Sequence, residues 1–235
     1  MESGKEYVCL MQLHGEVEKD RLIRILEEFT GEIYQLPPVK ASVKRALRRR
    51  KVYFIRLLED EGRLILFRVA CQAGTYVRKL CSDIGDALGM GAHMRELRRI
   101  RAGPFHVDEN LTTLLELRNA WESYLNGDES LLRKVVMPVE YMFKHTPKIY
   151  VRDSAVDALC HGASLAVPGV AKLDLEIKRG SLTGIFTLKG EVVALAEAAM
   201  STDEILNKER GIAAKVKRVI MPPGTYPKKW RSHPG

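Results

Sequence analysis

The 235-residue sequence is poor in cysteine and has no long apolar run. Its four cysteines are scattered and form no C-x-x-C pair, which argues against a disulfide framework and against a zinc site of the usual spacing. No apolar run approaches the roughly 18 residues that a membrane helix needs, and residues 1–5 lack the apolar segment of a secretory signal. The sequence therefore predicts an intracellular protein with reduced thiols. Its 46% of hydrophobic residues can supply a real core, in one large or two ordinary domains.

Acidic residues are almost absent from two stretches of the chain. The whole sequence has 38 Lys plus Arg against 30 Asp plus Glu, a net charge of +8. Residues 37–51 contain seven basic residues and no acidic one, and residues 208–231 contain eight basic residues and only Glu209 as an acid. Segregated positive charge favours a phosphate-binding face and a nucleic-acid partner. The alternative is a solvated basic surface, and Tyr34 and Tyr53 beside the first stretch are predicted to be core residues rather than base-stacking platforms.

Periodicity predicts an alternation of strands and helices in the first half. Residues 7–13 predict a strand, and the apolar spacing after it predicts a helix that ends at Thr30. Apolar runs at 52–58 and 64–71, separated by residues 60–62, predict a β-hairpin. Helical spacing returns after Gly74, a basic strand is predicted over 94–101, and a further helix over 114–125.

The second half is richer in glycine and in short strands. Runs at 182–188, 192–196 and 212–221 predict a compact β-rich domain, preceded by a short helix over 154–160. We predict an α+β chain with two domains, residues 1–146 and 147–235.

The first candidate site is the turn between a predicted strand and helix at Gly74 to Arg78. Thr75 is placed to cap the helix. Tyr76 and Arg78 lie in its first turn, where a phenol could handle a proton and a guanidinium an anion. Spacing alone favours an ordinary helix start over a site.

The segment 93–101 alternates apolar and basic residues. Leu97 could point into a cleft, whereas His93 lacks a nearby carboxylate pattern and is interpreted as structural. Neither a metal cluster, a phosphate-binding glycine loop nor a Ser-His-Asp arrangement stands out, so the sequence gives no support to a metalloenzyme or a nucleotide hydrolase.

Basic and small residues make up the candidates in the second half. The glycine at 162 could permit close approach of a ligand, although a tight turn is the default interpretation. Residues 215–218 resemble an exposed edge strand, and residues 226–230 interleave aromatic residues with cations, which suits nucleic-acid binding or a tail packed on the domain. The predicted RNA-binding residues are Lys44, Arg45, His161, Gly162, Ala163, Lys215, Lys217, Arg218, Lys228 and Lys229.

Several segments together resemble the dyskerin-like pseudouridine synthases of box H/ACA ribonucleoproteins, which are kin of the bacterial enzyme that modifies the T-loop of tRNA. They occur in the family's order and cover nearly the whole chain. The resemblance implies part of a mixed α/β synthase domain, followed by a PUA domain, a small RNA-binding β-barrel. The matching segments are residues 4–8, 37–38 with 42–45, 74–78, 91–94 with 96–99, 149–155 with 161–163 and 168–169, and 226–230.

The resemblance also implies roles for four residues. Tyr7 would pack against the flipped target base, and Leu97 would line the base pocket. Tyr76 would help to deprotonate carbon five of the rotated uracil, and Arg78 would pair with the catalytic aspartate. The reaction implied is cleavage of the uridine glycosidic bond, rotation of the base and reattachment through carbon, with no metal or organic cofactor.

One feature of the family pattern is missing from these 235 residues. The family's catalytic aspartate lies in a Gly-Thr-Leu-Asp type segment upstream of the Lys-Glu-Tyr-Val strand, and none of the aspartates here has that context. Asp83 and Asp86 lie on the predicted helix after Tyr76. The chain therefore resembles a family member without its front portion, and we expect it to be inactive alone.

Two classes of function follow from these observations. The first is an RNA pseudouridine synthase subunit of the box H/ACA guide ribonucleoprotein, acting on rRNA or tRNA. Its partners would be guide RNA, target RNA and the small H/ACA ribonucleoprotein subunits, without a membrane. The alternative is a non-catalytic RNA-binding module that anchors guide RNA and protein partners. An archaeal host would place the protein in the cytoplasm, and a eukaryotic host in the nucleolus.

Overall fold

The computed structural model describes residues 4–37 and 46–228, apart from the side chain of Asn110. The chain divides into two compact units, residues 2–113 and residues 114–235. The domain boundary predicted at 146/147 therefore lies inside the second unit. No helix in the described ranges is long and apolar enough to cross a membrane.

The first unit is built on one antiparallel sheet of six strands, in the order β2-β3-β4-β1-β5-β6. The described residues of the same unit also form three helices. In chain order the elements are β1 (Lys5–Leu13), α1 (Lys19–Glu28), β2 (Gly31–Gln35), β3 (Arg48–Glu61), β4 (Leu64–Cys71), α2 (Val77–Ala87), β5 (Ala92–Ala102), β6 (Phe105–His106) and α3 (Val107–Asn110).

One face of this sheet and two helices enclose the first core. Alternate residues of β1 point to that face, and Cys9, Met11 and Leu13 are fully buried there. The apolar stripe of α2 packs against them, and the Sγ atoms of Cys9 and Cys81 approach within 3.5 Å. The burial of α2 against β5 requires Gly85, because a Cβ there would lie 2.1 Å from the backbone nitrogen of Ala92.

The hairpin predicted at 52–71 is confirmed as β3 and β4, and the helix predicted after Gly74 is confirmed as α2. Two expectations for this unit are wrong, and the strand β2 was not predicted. Tyr34 and Tyr53 are exposed rather than buried in the core. Thr75 does not cap α2: the N-cap is Tyr76, and the Thr75 hydroxyl donates instead to the carbonyl of Gln72 at 2.8 Å.

The second unit contains a second sheet of six strands, in the order β8-β12-β11-β10-β7-β9. The pair β7 and β10 is parallel, and the other pairs are antiparallel. Its elements are α4 (Leu114–Leu125), α5 (Ser130–Val135), β7 (Lys148–Val151), α6 (Asp153–Cys160), β8 (Leu165–Ala166), β9 (Val170–Leu173), β10 (Leu182–Thr187), β11 (Val192–Ala198), α7 (Thr202–Leu206) and β12 (Ile212–Val219), with 3-10 turns at Val139–Phe143 and Val167–Gly169.

The second core lies between this sheet and α6, with Val156 and Leu159 buried against the strands. The short helix and the β-rich half predicted from sequence are thus confirmed. The exposed edge predicted for residues 215–218 is confirmed. They belong to β12 and pair with β11 on one side, whereas β8 pairs only with Ile212 and Ala214 at the start of β12. The strand β8 has two residues, too few to give a period in the sequence.

Candidate functional site

The turn before α2 is fixed by a network of main-chain contacts. Gly74 has φ +83°, a conformation that glycine adopts at little cost. The Thr75 backbone N–H donates to the Gln72 carbonyl at 3.2 Å, and Arg50 Nε donates to the Gly74 carbonyl at 3.2 Å. The backbone that leads into Tyr76 is therefore held from both sides.

Tyr76 itself is held by a residue that the sequence did not single out. Gln35, at the end of β2, is only 2% exposed. Its Oε1 accepts the Tyr76 backbone N–H at 3.0 Å, and its Nε2 donates to the Tyr76 carbonyl at 3.2 Å. A buried amide that makes two such bonds positions the main chain of Tyr76 closely. The only sequence signal was a polar residue at the end of a short apolar-polar alternation.

Arg78 lies in the first turn of α2 with its side chain exposed. It forms no ion pair with a carboxylate of residues 4–37 or 46–228. By contrast, the neighbouring Lys79 pairs with Asp83 one turn along the helix. A guanidinium at this place is free to bind a carboxylate or a phosphate.

Tyr7 lies at the same end of the sheet as Tyr76. Its strand partners are Val69 and Arg99, and the neighbouring Cys71 ends β4 just before the turn. Burial raises the pKa of the Tyr7 hydroxyl, and the nearby Cys71 thiol raises it further, whereas Arg99 acts in the opposite direction. Tyr7 therefore stays protonated at neutral pH.

Leu97 lies on β5 directly opposite Cys9 of β1. It is half-buried and packs on the first core. Tyr7 and Leu97 thus lie on neighbouring strands, with Tyr7 near the end of the sheet that leads to Tyr76 and Leu97 at the middle of β5.

A buried ion cluster supports this end of β1 from the other face of the sheet, and the sequence reasoning missed it. Glu6 is 6% exposed, and Arg68 Nε donates to its Oε2 at 3.0 Å. Arg101 Nε lies 2.7 Å from Oε1, an ion pair whose N–H is not aligned for a hydrogen bond. A buried carboxylate needs such partners to remain charged.

No group of three or more potential metal ligands is present in the described part of the chain.

In the second unit, two of the predicted RNA-binding segments come together. His161, Gly162 and Ala163 follow α6 and are separated by one residue from β8, which pairs with the start of β12. Gly162 has φ +86°, and a Cβ there would meet nothing within 4 Å, so the turn is open to an approaching group. His161 lies on this turn, with Nδ1 2.8 Å from the Asp157 carbonyl oxygen.

The cations of β12 begin one residue beyond that pairing. Lys215, Lys217 and Arg218 are exposed, but Lys217 Nζ lies 2.8 Å from Glu197 Oε2, so part of its charge is compensated. Lys228 lies apart from them. It follows Tyr226, whose hydroxyl donates to Glu191 at 2.6 Å, just before β11 begins. Lys44, Arg45 and Lys229 lie outside the described residues.

Comparison with known protein families gives three matches. Residues 78–144 match the tRNA pseudouridylate synthase B C-terminal domain, residues 147–220 match the PUA domain, and residues 1–95 match the C-terminal part of Pus10.

Individual proteins match over nearly the full chain. A protein of Methanosarcina barkeri named probable tRNA pseudouridine synthase B is 56% identical over 229 residues, which are 97% of this chain and 68% of that protein. The protein of the same name in Pyrococcus furiosus is 54% identical and matches 97% of this chain and 67% of its own length.

Two solved structures agree with these relatives. The crystal structure of a Cbf5-Nop10-Gar1 complex superposes with a TM-score of 0.88 at 54% identity, covering 93% of this chain and 67% of that one. An H/ACA ribonucleoprotein bound to a substrate RNA that contains 2′-deoxyuridine superposes with a TM-score of 0.88 at 52% identity, covering 97% and 69%.

Proposed function

This chain belongs to the archaeal tRNA pseudouridine synthase B (Cbf5) family, and from that membership we propose that it is the RNA pseudouridine synthase subunit of a box H/ACA guide ribonucleoprotein. The observation that carries the proposal is the match over nearly the whole chain to a chain of the Cbf5-Nop10-Gar1 complex and to a chain of the H/ACA ribonucleoprotein, at 54% and 52% identity, each with a TM-score of 0.88. Its partners are then guide RNA, target rRNA or tRNA, and small proteins of the kind that accompany Cbf5 in those structures. As an archaeal-type member, it works in the cytoplasm.

The two matched regions divide the work between them. Residues 1–146 form part of the synthase domain, and residues 147–235 form the PUA domain that binds RNA. The domain boundary at 146/147 is supported by the start of the PUA match at residue 147.

The reaction is an isomerisation, so atoms balance without a cofactor. The bond between ribose carbon one and uracil N1 breaks, the base turns over, and carbon five bonds to ribose carbon one. Carbon five then loses its proton, and the freed N1 gains one. We assign Tyr76 to the removal of the proton from carbon five, because Tyr76 carries a phenol and its main chain is fixed by two hydrogen bonds to the Gln35 side chain. Tyr7 and Leu97 pack around the extruded base, which must leave its stack to react.

We assign Arg78 to pairing with the family's catalytic aspartate, whose carboxylate acts on the sugar. A guanidinium beside a carboxylate keeps it ionised. No carboxylate of the described residues fills that place, and the family's Gly-Thr-Leu-Asp type segment has no counterpart in these 235 residues. The second candidate function, an RNA-binding module that anchors guide RNA and protein partners, is favoured by the exposed cations of β12 and the open turn at Gly162.

The test supplies the carboxylate. The 235-residue chain would be joined to the part of the Methanosarcina barkeri protein that it does not match, and assembled with a guide RNA and its target. We expect pseudouridine in the target by mass spectrometry from the joined protein and none from the 235-residue chain. Pseudouridine from the chain alone that disappears in Asp83→Ala or Asp86→Ala would overturn the assignment of Arg78. RNA binding without product in the joined protein would favour the binding module.

A further inference from the structure

The outward face of the ribbon formed by β2 and β3 carries two exposed tyrosines. Tyr34 pairs with Arg49 across the two strands, and Glu32 pairs with Lys51. Side chains two residues apart on a strand share a face, so Arg49, Lys51 and Tyr53 continue along one side of β3. Tyr34 is 66% exposed and Tyr53 is 43% exposed. This set of five side chains is called the tyrosine face below.

The charge of the tyrosine face is positive. Its one acid, Glu32, lies 3.2 Å from Arg49, and both side chains are well exposed, so the pair is weak and open to exchange with a phosphate. Lys51 has no carboxylate partner within the described ranges, and its Nζ lies 6.0 Å from the centre of the Tyr53 ring. These residues, except Tyr34, line a surface cleft of about 310 Å³ together with Arg50 and Gln72.

Spacing indicates what this face can bind. Tyr34 pairs with Arg49, and Arg49 lies four residues before Tyr53 on β3. Four residues of a β-strand span about 13 Å, so the two tyrosines are about that far apart along the strand direction. Bases stacked in a helix rise by only about 3.4 Å per step along a strand, so two neighbouring stacked bases cannot reach both rings. Aromatic rings with cations between them are the arrangement that unpaired nucleic acid uses, with bases on the rings and phosphates on the cations.

The face is also connected to the proposed reaction site. Arg50, which lies between Arg49 and Lys51 on β3, donates to the carbonyl of Gly74 in the turn before Tyr76. A strand of RNA on the tyrosine face would therefore border that turn.

We propose that the tyrosine face is an RNA-binding surface for an unpaired strand, with bases stacked on Tyr34 and Tyr53 and the phosphates between them bound by Arg49 and Lys51. The proposal rests on the proposed function only in taking RNA as the partner. It is separate from the RNA contacts assigned to the second unit.

The test is a titration of the 235-residue chain with a labelled single-stranded oligouridine that has no ACA end. Tyr34→Leu and Tyr53→Leu should each weaken binding about five- to hundredfold, the range measured for loss of one stacked base. Tyr34→Phe and Tyr53→Phe should bind like the wild type, because they keep the ring. Tyr124→Leu is the matched control, because Tyr124 is 44% exposed but lies on α4. Arg49→Gln and Lys51→Gln should each reduce the salt slope by about 0.7.

Photocrosslinking of an oligouridine that contains 5-iodouridine locates the RNA. Crosslinks at Tyr34 or Tyr53 support the proposal. Crosslinks confined to residues 147–228, or Leu variants that bind like the wild type, would overturn it while the RNA function stands. Equal losses in the Phe and Leu variants would also overturn it, because stacking would then not be the cause. Tighter binding to duplex than to single-stranded RNA would contradict the unpaired strand. Absence of RNA binding by the wild type would instead remove the proposed function itself.

Discussion

The two sheets of this chain hold their candidate functional groups in opposite ways. In the first sheet, Tyr76 is fixed through its main chain by the buried amide of Gln35. In the second, Gly162 lies on a turn with open space where a side chain would be. Chemistry at a bond requires groups held in place, whereas recognition of a base edge requires room for the base to approach the backbone. We infer from this difference that the site at Tyr76 is arranged for reaction and the turn at Gly162 for docking of RNA.

The largest effect should come from the phenol of the first unit. In the joined protein, Tyr76→Leu should lower the rate of pseudouridine formation by about 10²- to 10⁴-fold, the usual contribution of a general acid or base, while RNA affinity stays unchanged. The measurement is a single-turnover rate beside an RNA titration, with Tyr141→Leu as the control in the second unit. Equal losses of rate and affinity would show that Tyr76 serves packing only.

The separation of the two units can be tested through their packing. Gly85→Ala places a methyl group 2.1 Å from the Ala92 nitrogen, so it should destabilise the first unit by about 3 kcal/mol. Hydrogen exchange should speed up in α2 and β5 but not in β10 and β11. Gly89→Ala is the control. It has φ +76° and no atom within 4 Å, so it should cost only about 1 kcal/mol of backbone strain. Faster exchange in both units after Gly85→Ala would mean that they unfold together.

The two hydrogen bonds between Gln35 and the Tyr76 main chain can be removed without changing the Tyr76 ring. Gln35→Leu leaves the Tyr76 N–H and carbonyl without their partners, which should cost about 2 kcal/mol. The Tyr76 amide should exchange faster with solvent, and the rate of the joined protein should fall while RNA affinity is kept. Gln12→Leu is the control. Within residues 4–37 and 46–228 the Gln12 side chain accepts a bond from exposed Arg95 alone, so this change should alter neither the exchange of the Tyr76 amide nor the rate. An unchanged rate in Gln35→Leu would make the amide a structural group alone.

The smallest effect concerns acid stability in the second unit. Hydrogen bonds from Arg179 and from the Ser201 backbone N–H hold the pKa of Glu204 at about 2, below its ordinary 4.5. The charged form is favoured in the folded state, so its contribution is complete above about pH 4.5 and is lost as the pH falls toward 2. Glu204→Gln should lower the melting temperature slightly at pH 6, and the difference from wild type should shrink at pH 3. Glu209→Gln should show no such trend.

The sequence predicted the parts of the fold that have a clear period. The alternation in β3 and β4 and the apolar stripe of α2 are local, so they could be recognised. The contact between Gln35 and Tyr76 joins residues 41 positions apart. It could not be predicted, because no local sequence pattern indicates such a contact. Thr75 was predicted to cap α2, but its hydroxyl donates to the carbonyl of Gln72, and the N-cap residue is Tyr76.

The sequence also failed to predict which side chains of the strands are exposed. Tyr34 and Tyr53 were predicted to be core residues rather than base-stacking platforms. Their actual face was decided by register: Gln35 and Val52, their neighbours in sequence, are the residues that point inward and are buried. By contrast, the exposed edge at residues 215–218 was predicted correctly, because its alternation of charged and bulky residues is local and β8 pairs only with residues 212 and 214.

The division of labour between the two units is tested most directly by titrating the 235-residue chain with a guide-type RNA that ends in ACA and with one whose end is scrambled, at two salt concentrations. We expect the wild type and Tyr76→Leu to prefer the ACA end. Gly162→Val should lose that preference, and Lys228→Ala should weaken both RNAs about equally. If about five phosphates are neutralised, the logarithm of affinity should fall with the logarithm of salt at a slope near −3 to −4. A wild type with no preference for the ACA end and a flat salt response would contradict the account.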